Sequence, residues 1–216
     1  MSNTIETPES HATASPPRQN STLTVLGLIV IAAAVLYLLA TRERRDATPD
    51  AALSHPAVGA PLADFDVAVL TGEGENVLAG DLKGKVALVS FWGPWCGPCK
   101  TEFPHLAKLA ENLRARDDFR WLPVTYDQSL AGSPQQLRQD ASAFLSQAGL
   151  KTVTYHDPNE SLLGAASAAG AFDGAFPCTI LVDKSGHIHA VWKGFRPGVE
   201  KQVEAAVLEL LDEKAG

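Results

Sequence analysis

Two cysteines separated by a Gly-Pro pair, Cys96-Gly97-Pro98-Cys99, are the residues of this sequence with the clearest potential for chemistry. Thiols at this spacing either bind a metal ion or exchange electrons by opening and closing a disulfide. A structural zinc site usually has four Cys or His ligands. The one further cysteine, Cys178, is isolated in the sequence, and the histidines are scattered. The pattern therefore favours redox chemistry, and we expect no bound metal and no other cofactor.

The residues around the cysteines predict that the pair lies where a strand becomes a helix. Residues 85–92 (KVALVSFW) form a short apolar run without helical spacing, which is typical of a buried strand. After Cys99, apolar residues follow the spacing of one helical face, at Phe103, Leu106, Leu109, Ala110 and Leu113.

This position predicts how the two thiols divide the reaction. At a helix N-terminus, free backbone N–H groups and the positive end of the helix dipole stabilise a thiolate, here that of Cys96. We therefore expect Cys96 to attack a substrate disulfide. Cys99, one turn further on and more buried, is expected to displace the substrate from the mixed disulfide.

The remaining patterns predict an α/β domain with a mixed sheet covered by helices. Further strands are predicted at residues 65–70, 76–82, 121–126, 151–157, 178–183 and 187–192, and further helices at residues 135–148, 160–169 and 199–211. The first two of these strands form a hairpin ahead of the core, and the last two form a hairpin near its end. Strands and helices alternate between the hairpins, so parallel and antiparallel pairs should share one sheet.

The N-terminal residues differ in composition from the rest. Residues 1–20 are rich in Ser, Thr, Pro and Asn, and we predict a disordered tail. Residues 23–40 carry no charge and, as a helix, reach about 27 Å, close to the ~30 Å of a bilayer's hydrocarbon core. We predict a transmembrane anchor over residues 21–41, a linker over 42–57 and one globular domain over 58–216. A cleaved secretory signal is the alternative, although its apolar region is usually about 7–15 residues.

The charge of the chain argues against nucleic acid as a partner. The net charge is −7 at pH 7, and the sequence has no basic stripe and no Gly-rich phosphate loop. Three arginines, Arg42, Arg44 and Arg45, follow the apolar segment and one, Arg18, precedes it. Counted alone, this distribution places the C-terminal side of the anchor in the cytoplasm.

Several motifs together resemble the thioredoxin superfamily. They are WCGPC after the VSFW strand, KTEFP opening the helix, and FPCTILVDKSGHI near the end. Within the superfamily the sequence is most similar to the membrane-anchored TlpA/ResA-like thiol-disulfide oxidoreductases, over about residues 58–211. The resemblance extends to VGAPLADF, LKGK and a helical insertion between Tyr126 and Val153. It implies a thioredoxin fold with an N-terminal β-hairpin and a central helical insertion.

The resemblance also implies roles for single residues. Pro177 would be the cis-proline that faces the disulfide, and the backbone at Phe176 would pair with the substrate chain. Trp95 would shield the thiols and, with Gly97 and Pro98, contact the substrate.

Glu102 matches a family glutamate near the thiols, which could move protons for Cys99. The alternative for Glu102 is an ordinary first-turn acid that interacts with the helix dipole.

Three positions depart from the family pattern. Ser90 stands where the family often has Asn and where thioredoxins have a buried Asp, so that proton relay is absent. Gly93-Pro94 is an unusual pair of residues ahead of the turn that holds Cys96 and Cys99. Cys178 occupies a position that is commonly Thr. It is interpreted as a third redox thiol, a soft-metal ligand or, most simply, a small buried residue.

The resemblance implies a membrane-tethered reductant of specific protein disulfides. The Gly-Pro dipeptide is that of thioredoxin, whose potential lies near −270 mV. Family members face the periplasm from one N-terminal helix, so the resemblance places the redox domain outside the cytoplasm, against the arginine distribution. Its electrons would come from a membrane-embedded thiol carrier. Apocytochrome c or copper-site cysteines are the usual targets of the family.

Two other functions remain open on sequence grounds. One is Cu(I) delivery, with the metal held by Cys96, Cys99 and a third ligand such as Cys178. The other is a thiol peroxidase, because peroxiredoxins share the fold. Their Thr-x-x-Cys pattern fails here, since Gly93 occupies the Thr position.

Overall fold

The computed structural model describes residues 21–45, 50–128 and 133–213, in two compact units divided after residue 46. The predicted tail over residues 1–20 lies outside the described ranges. In the first unit, α1 (Ser21–Arg45) covers the predicted anchor. Within the described ranges, no helix combines the length and the apolar character needed to cross a membrane.

The second unit holds one seven-stranded sheet and five α-helices in the part that the structure describes. The strands are β1 (Asp66–Thr71), β2 (Val77–Leu78), β3 (Val86–Trp92), β4 (Phe119–Thr125), β5 (Thr154–His156), β6 (Cys178–Val182) and β7 (Ile188–Lys193). The helices are α2 (Asp50–Leu53), α3 (Gly97–Asn112), α4 (Pro134–Gln147), α5 (Ser161–Ala168) and α6 (Val199–Asp212), and a 3₁₀ helix spans Ala79–Leu82.

The sheet mixes parallel and antiparallel pairs, as predicted. Its strand order is β2-β1-β5-β4-β3-β6-β7. Strand β3 runs parallel to β4 and antiparallel to β6, and β4 runs parallel to β5. Both predicted hairpins are present, as the antiparallel pairs β1–β2 and β6–β7. The helical insertion is α4, between β4 and β5.

Strand β3 is buried along its whole length because helices cover both faces of the sheet. Successive side chains of a strand point to opposite faces. Val86, Leu88 and Trp92 accordingly belong to the core that also contains α3 and α6 residues, whereas Val89 and Phe91 belong to the core beneath α5. The first of these cores also holds the two neighbouring cysteines.

The predicted helical faces are largely confirmed. Phe103, Leu106 and Leu109 of α3 are buried. Helical spacing predicts that Val203, Val207 and Leu210 share one face of α6, and all three are buried. In α4, the apolar spacing predicts that Leu137, Ala141, Phe144 and Ala148 point inward. Leu137 and Ala141 are buried, but Ala148 is exposed, so the prediction for Ala148 is wrong. The helix ends at Gln147 before the left-handed Gly149, and the third buried residue is Leu145, four residues after Ala141.

Candidate active site

The two neighbouring cysteines lie in the turn that joins β3 to α3. Strand β3 ends at Trp92, and α3 begins at Gly97 with Pro98 in its first turn, where a missing N–H removes no helical hydrogen bond. Cys96 is the N-cap residue, with an extended backbone. Its Sγ accepts a hydrogen bond from the Cys99 N–H at 3.2 Å. The predicted strand-to-helix position is therefore confirmed, and the Cys96 sulfur lies at the positive end of the helix.

Cys96 and Cys99 are joined by a disulfide, with their Cα atoms 5.2 Å apart. Both residues are buried, at 4% exposed for Cys96 and 1% for Cys99. Cys96 is thus the slightly more accessible of the two. The order of attack expected from the helix N-terminus stays a prediction.

An aromatic wall, formed by Trp95 and Phe176, stands beside this turn. Trp95 is 38% exposed, and its indole packs edge-on against Phe176 with ring centroids 5.3 Å apart. The Trp95 Nε1–H donates to the Tyr126 carbonyl oxygen at 2.9 Å. The Phe176–Pro177 peptide bond is cis, as the family resemblance implied. The wall leaves flat apolar surface next to Cys96, which a partner chain could cover.

Because Gly93 has no side chain, the Trp95 indole can lie against it and reach the Tyr126 carbonyl oxygen. From the sequence, Gly93 could be recognised only as an unusual residue before the cysteines. A Cβ atom at Gly93 would collide with the Trp95 indole Nε1 and would lie 2.7 Å from the Tyr126 carbonyl oxygen. Any larger side chain would therefore displace the Trp95 ring or the end of β4. The threonine that a peroxiredoxin pattern requires at this position has no room.

Glu102 lies on α3 one turn after Cys99 and is only 3% exposed. The Thr179 hydroxyl donates a hydrogen bond to its Oε2 at 3.4 Å. Burial raises the pKa of the Glu102 carboxyl to about 7, and the hydrogen bond from Thr179 opposes this rise. Glu102 lies beyond the first turn of α3, so burial rather than the helix dipole determines the pKa of its carboxyl group. The carboxyl group can take up or release a proton near neutral pH.

Ser90 fills the position of the absent relay acid with a neutral hydroxyl. It is buried, and its Oγ accepts a hydrogen bond from the Trp121 Nε1–H at 3.0 Å. Ser90 on β3 is also the direct cross-strand partner of Thr179 on β6. The carboxylate on this side of the sheet therefore comes from α3, through Glu102, rather than from β3.

Cys178 belongs to the other core, on the opposite side of the sheet from the disulfide. Its neighbour Thr179 points toward Glu102, and side chains alternate along a strand. Cys178 is 1% exposed, its thiol donates to the Ala171 carbonyl oxygen at 3.6 Å, and burial raises its pKa to about 12. This placement separates Cys178 from the other two thiols and supports its interpretation as a small buried residue.

Comparison with known proteins agrees with this geometry. A family model described as the AhpC/TSA family matches residues 58–191. The thiol-disulfide oxidoreductase ResA of Geobacillus kaustophilus is 26% identical over 180 residues, which cover 82% of this chain and 91% of that protein. The thiol:disulfide interchange protein DsbE of Pseudomonas aeruginosa is 43% identical over 54 residues, 25% of this chain and 30% of that protein.

Solved structures share the fold. A secreted thiol-disulfide isomerase from Corynebacterium glutamicum superimposes with a TM-score of 0.55 at 28% sequence identity. The match covers 70% of this chain and 85% of that one. The expected thioredoxin-like architecture is therefore confirmed by the strand order and by this likeness.

Proposed function

The chain belongs to the AhpC/TSA family, and from this premise we propose that this thioredoxin-like thiol-disulfide oxidoreductase reduces disulfides of specific partner proteins. The observation that carries the proposal is the placement of Cys96 at the N-cap of α3, within disulfide reach of Cys99. An N-cap sulfur is favoured as a thiolate, and a thiolate is the species that attacks disulfides.

The reaction proceeds in two exchanges of sulfur bonds. The Cys96 thiolate attacks one sulfur of the substrate disulfide, that bond breaks, and the second substrate sulfur leaves as a thiolate. Cys99 then loses its proton and attacks the Cys96 Sγ, which releases the first substrate sulfur. In total, two electrons pass from the Cys96–Cys99 dithiol to the substrate, whose two sulfurs end as thiols.

We assign the proton of Cys99 to Glu102. The carboxyl group is buried one helical turn from Cys99 and has a pKa of about 7, so its ionised form is available at neutral pH. Transfer breaks the Cys99 S–H bond and forms an O–H bond on Glu102. The proton then leaves with the product thiol. A buried carboxyl group suits this role because its proton affinity lies close to that of an activated thiol.

We assign substrate contact to the residues around the turn. The aromatic wall of Trp95 and Phe176 offers apolar surface, and Pro177 lies at the end of the segment that leads into β6. Gly97 and Pro98 lie between the cysteines and carry no charge that would repel a partner. The backbone at Phe176 would pair with the substrate chain beside its disulfide.

We further propose that α1 tethers the redox domain to a membrane and that the domain lies outside the cytoplasm, in the periplasm. The side chains of residues 25–37 are exposed and almost all apolar, and a bilayer would cover them. An oxidising compartment would keep the Cys96–Cys99 disulfide closed. A membrane-embedded thiol donor is therefore needed to reopen it.

The proposal is tested by a Cys99→Ala variant of the full chain in its source cell. Without Cys99 the second exchange cannot occur, so partners should accumulate as mixed disulfides with Cys96, and their identity reports both target and compartment. Cys96→Ser is the matched control and should trap nothing. Absence of any disulfide-linked partner, while the unaltered protein reduces a model disulfide in vitro, would contradict the two-step cycle.

Tethering has a separate test. The proposal expects the full chain to remain in the membrane fraction after alkaline extraction, and the redox domain to be cut by a protease added to the periplasmic side. A soluble full chain would overturn the tether. Protection of the domain from that protease would overturn its location.

A further inference from the structure

Thr179 holds a fixed place in the middle of the sheet, against α3. It is the second residue of β6, two residues after Pro177, and it is fully buried. Its neighbours across the sheet are Ser90 on β3 and Trp192 on β7. A β-branched side chain in the middle of three paired strands has little rotational freedom. The Thr179 hydroxyl is therefore held at one position relative to α3.

That hydroxyl is the one hydrogen-bond partner of the Glu102 carboxyl group within the described ranges, at 3.4 Å from Oε2. A buried carboxyl group is costly to leave without a partner. A threonine hydroxyl can both donate and accept, because its hydrogen rotates. It can therefore bind an ionised carboxylate and also a protonated carboxylic acid.

We propose that Thr179 is a positioning residue for Glu102. Its hydroxyl donates to the carboxylate and accepts from the carboxylic acid, so the group stays beside Cys99 while a proton moves onto and off it. This inference rests on the proposed role of Glu102 in the proposed function. Thr179, which would hold Glu102 in place, lies on β6, and β6 begins directly after the Phe176–Pro177 segment that we assign to substrate contact.

The surroundings of Glu102 make the effect of Thr179 measurable. Cys99 lies one turn before Glu102 on α3, and its thiol and that of the N-cap residue Cys96 titrate only when the disulfide is open. Cys178 on β6 has its pKa raised mainly by burial, and the Glu102 charge adds to that rise. The shift of the Glu102 pKa itself has two causes, burial that raises it and the Thr179 hydrogen bond that lowers it. Without the hydroxyl, burial acts unopposed, so the carboxylate should become available only at higher pH.

The experiment isolates the second exchange. The reduced full chain is mixed in a stopped-flow instrument with excess dithiobis(nitrobenzoate) from pH 5 to pH 9. Attack by Cys96 on the reagent releases a first thionitrobenzoate at a rate that rises with reagent concentration, and attack by Cys99 on the Cys96 sulfur releases a second one at a rate that does not. The concentration-independent phase therefore reports the second exchange, and Cys99→Ala should lack it. Thr179→Val removes the hydroxyl at nearly constant volume, and Thr179→Ser retains it.

We expect Thr179→Val to move the pH midpoint upward and to slow release at neutral pH about two- to tenfold, the effect of one weak hydrogen bond to the carboxylate. Thr179→Ser should stay near the unaltered protein. Thr125→Val is the matched control, because the buried Thr125 hydroxyl has no partner in the described structure. It should leave the midpoint unchanged. Thr179→Ala replaces Thr179→Val if the valine variant does not fold.

Failure of this inference differs from failure of the proposed function. If Glu102→Gln shifts or flattens the pH profile while Thr179→Val behaves like Thr125→Val, Thr179 has only a structural role and the inference is wrong. If Glu102→Gln leaves the profile unchanged, the assigned role of Glu102 is wrong and the inference falls with it. In the Glu102→Gln background, Thr179→Val should produce no further shift of the midpoint.

Discussion

The buried carboxyl group of Glu102 should make the stability of the protein depend on pH, and Glu102→Gln should remove that dependence. The pKa of Glu102 is about 7 in the folded chain, against an ordinary value of 4.5 in the unfolded chain. The folded state therefore holds this proton more tightly. Its stabilising contribution is complete below about pH 4.5, declines as the pH rises and is lost above about pH 7.

The size of the effect follows from the two pKa values. At about 1.4 kcal/mol per pKa unit, the difference between 4.5 and about 7 corresponds to about 3 kcal/mol. The neutral amide that the substitution introduces does not ionise. Glu102→Gln should therefore be more stable than the unaltered protein by up to about 3 kcal/mol at pH 8.5, and nearly equal to it at pH 4.

Urea denaturation of the oxidised chain at pH 4, 6 and 8.5 measures this difference, because neither cysteine titrates in the disulfide. Glu111→Gln is the control, since Glu111 lies exposed on the same helix and forms only a surface ion pair with Arg114. Its effect should stay within about 0.5 kcal/mol at every pH. Parallel stability curves for the unaltered protein and Glu102→Gln would refute the reasoning, because they would show that Glu102 does not hold a proton at neutral pH.

Three further outcomes follow from the site. Gly93→Ala should displace the Trp95 indole, which a change in tryptophan fluorescence and slower disulfide reduction would reveal, whereas Gly164→Ala meets no atom within 4 Å and should alter neither. Cys178→Ala should leave turnover unchanged, because this thiol lies on the other side of the sheet, and a loss of turnover would contradict that separation. Reduced protein should neither consume hydrogen peroxide nor retain Cu(I) against a competing chelator; rapid peroxide consumption or stoichiometric Cu(I) retention would favour the alternative functions.

The sequence predicted the position of Cys96 and Cys99 because local patterns were sufficient. An apolar run ends at Trp92, and helical spacing begins just after Cys99, so the turn between them followed from neighbouring residues alone. The buried faces of α3 and α6 could be predicted for the same reason. The cis bond before Pro177 was implied by family resemblance, since nothing in the local sequence distinguishes it from a trans bond.

Other features depend on contacts between distant parts of the chain. The contact between Thr179 and Glu102 requires the register of β6 against β3, which no local pattern contains. The separation of Cys178 from the disulfide depends on which face of β6 each core covers. From the sequence, Gly93 could be recognised only as a departure from the family pattern. Its role is to leave room for the Trp95 ring, and that contact exists only in the folded chain. The inward placement of Ala148 was wrong because the helix ended one residue earlier.

The burial of Cys178 gives the protein an internal reporter of unfolding. The Cys178 thiol is buried in the core beneath α5 and has a pKa of about 12, so it should not react with an alkylating reagent until that core opens. With the other two cysteines joined in the disulfide, one label per molecule would mark each opening event. At reagent concentrations where labelling is faster than reclosing, mass spectrometry over time could then measure the opening rate of the native chain without an introduced cysteine.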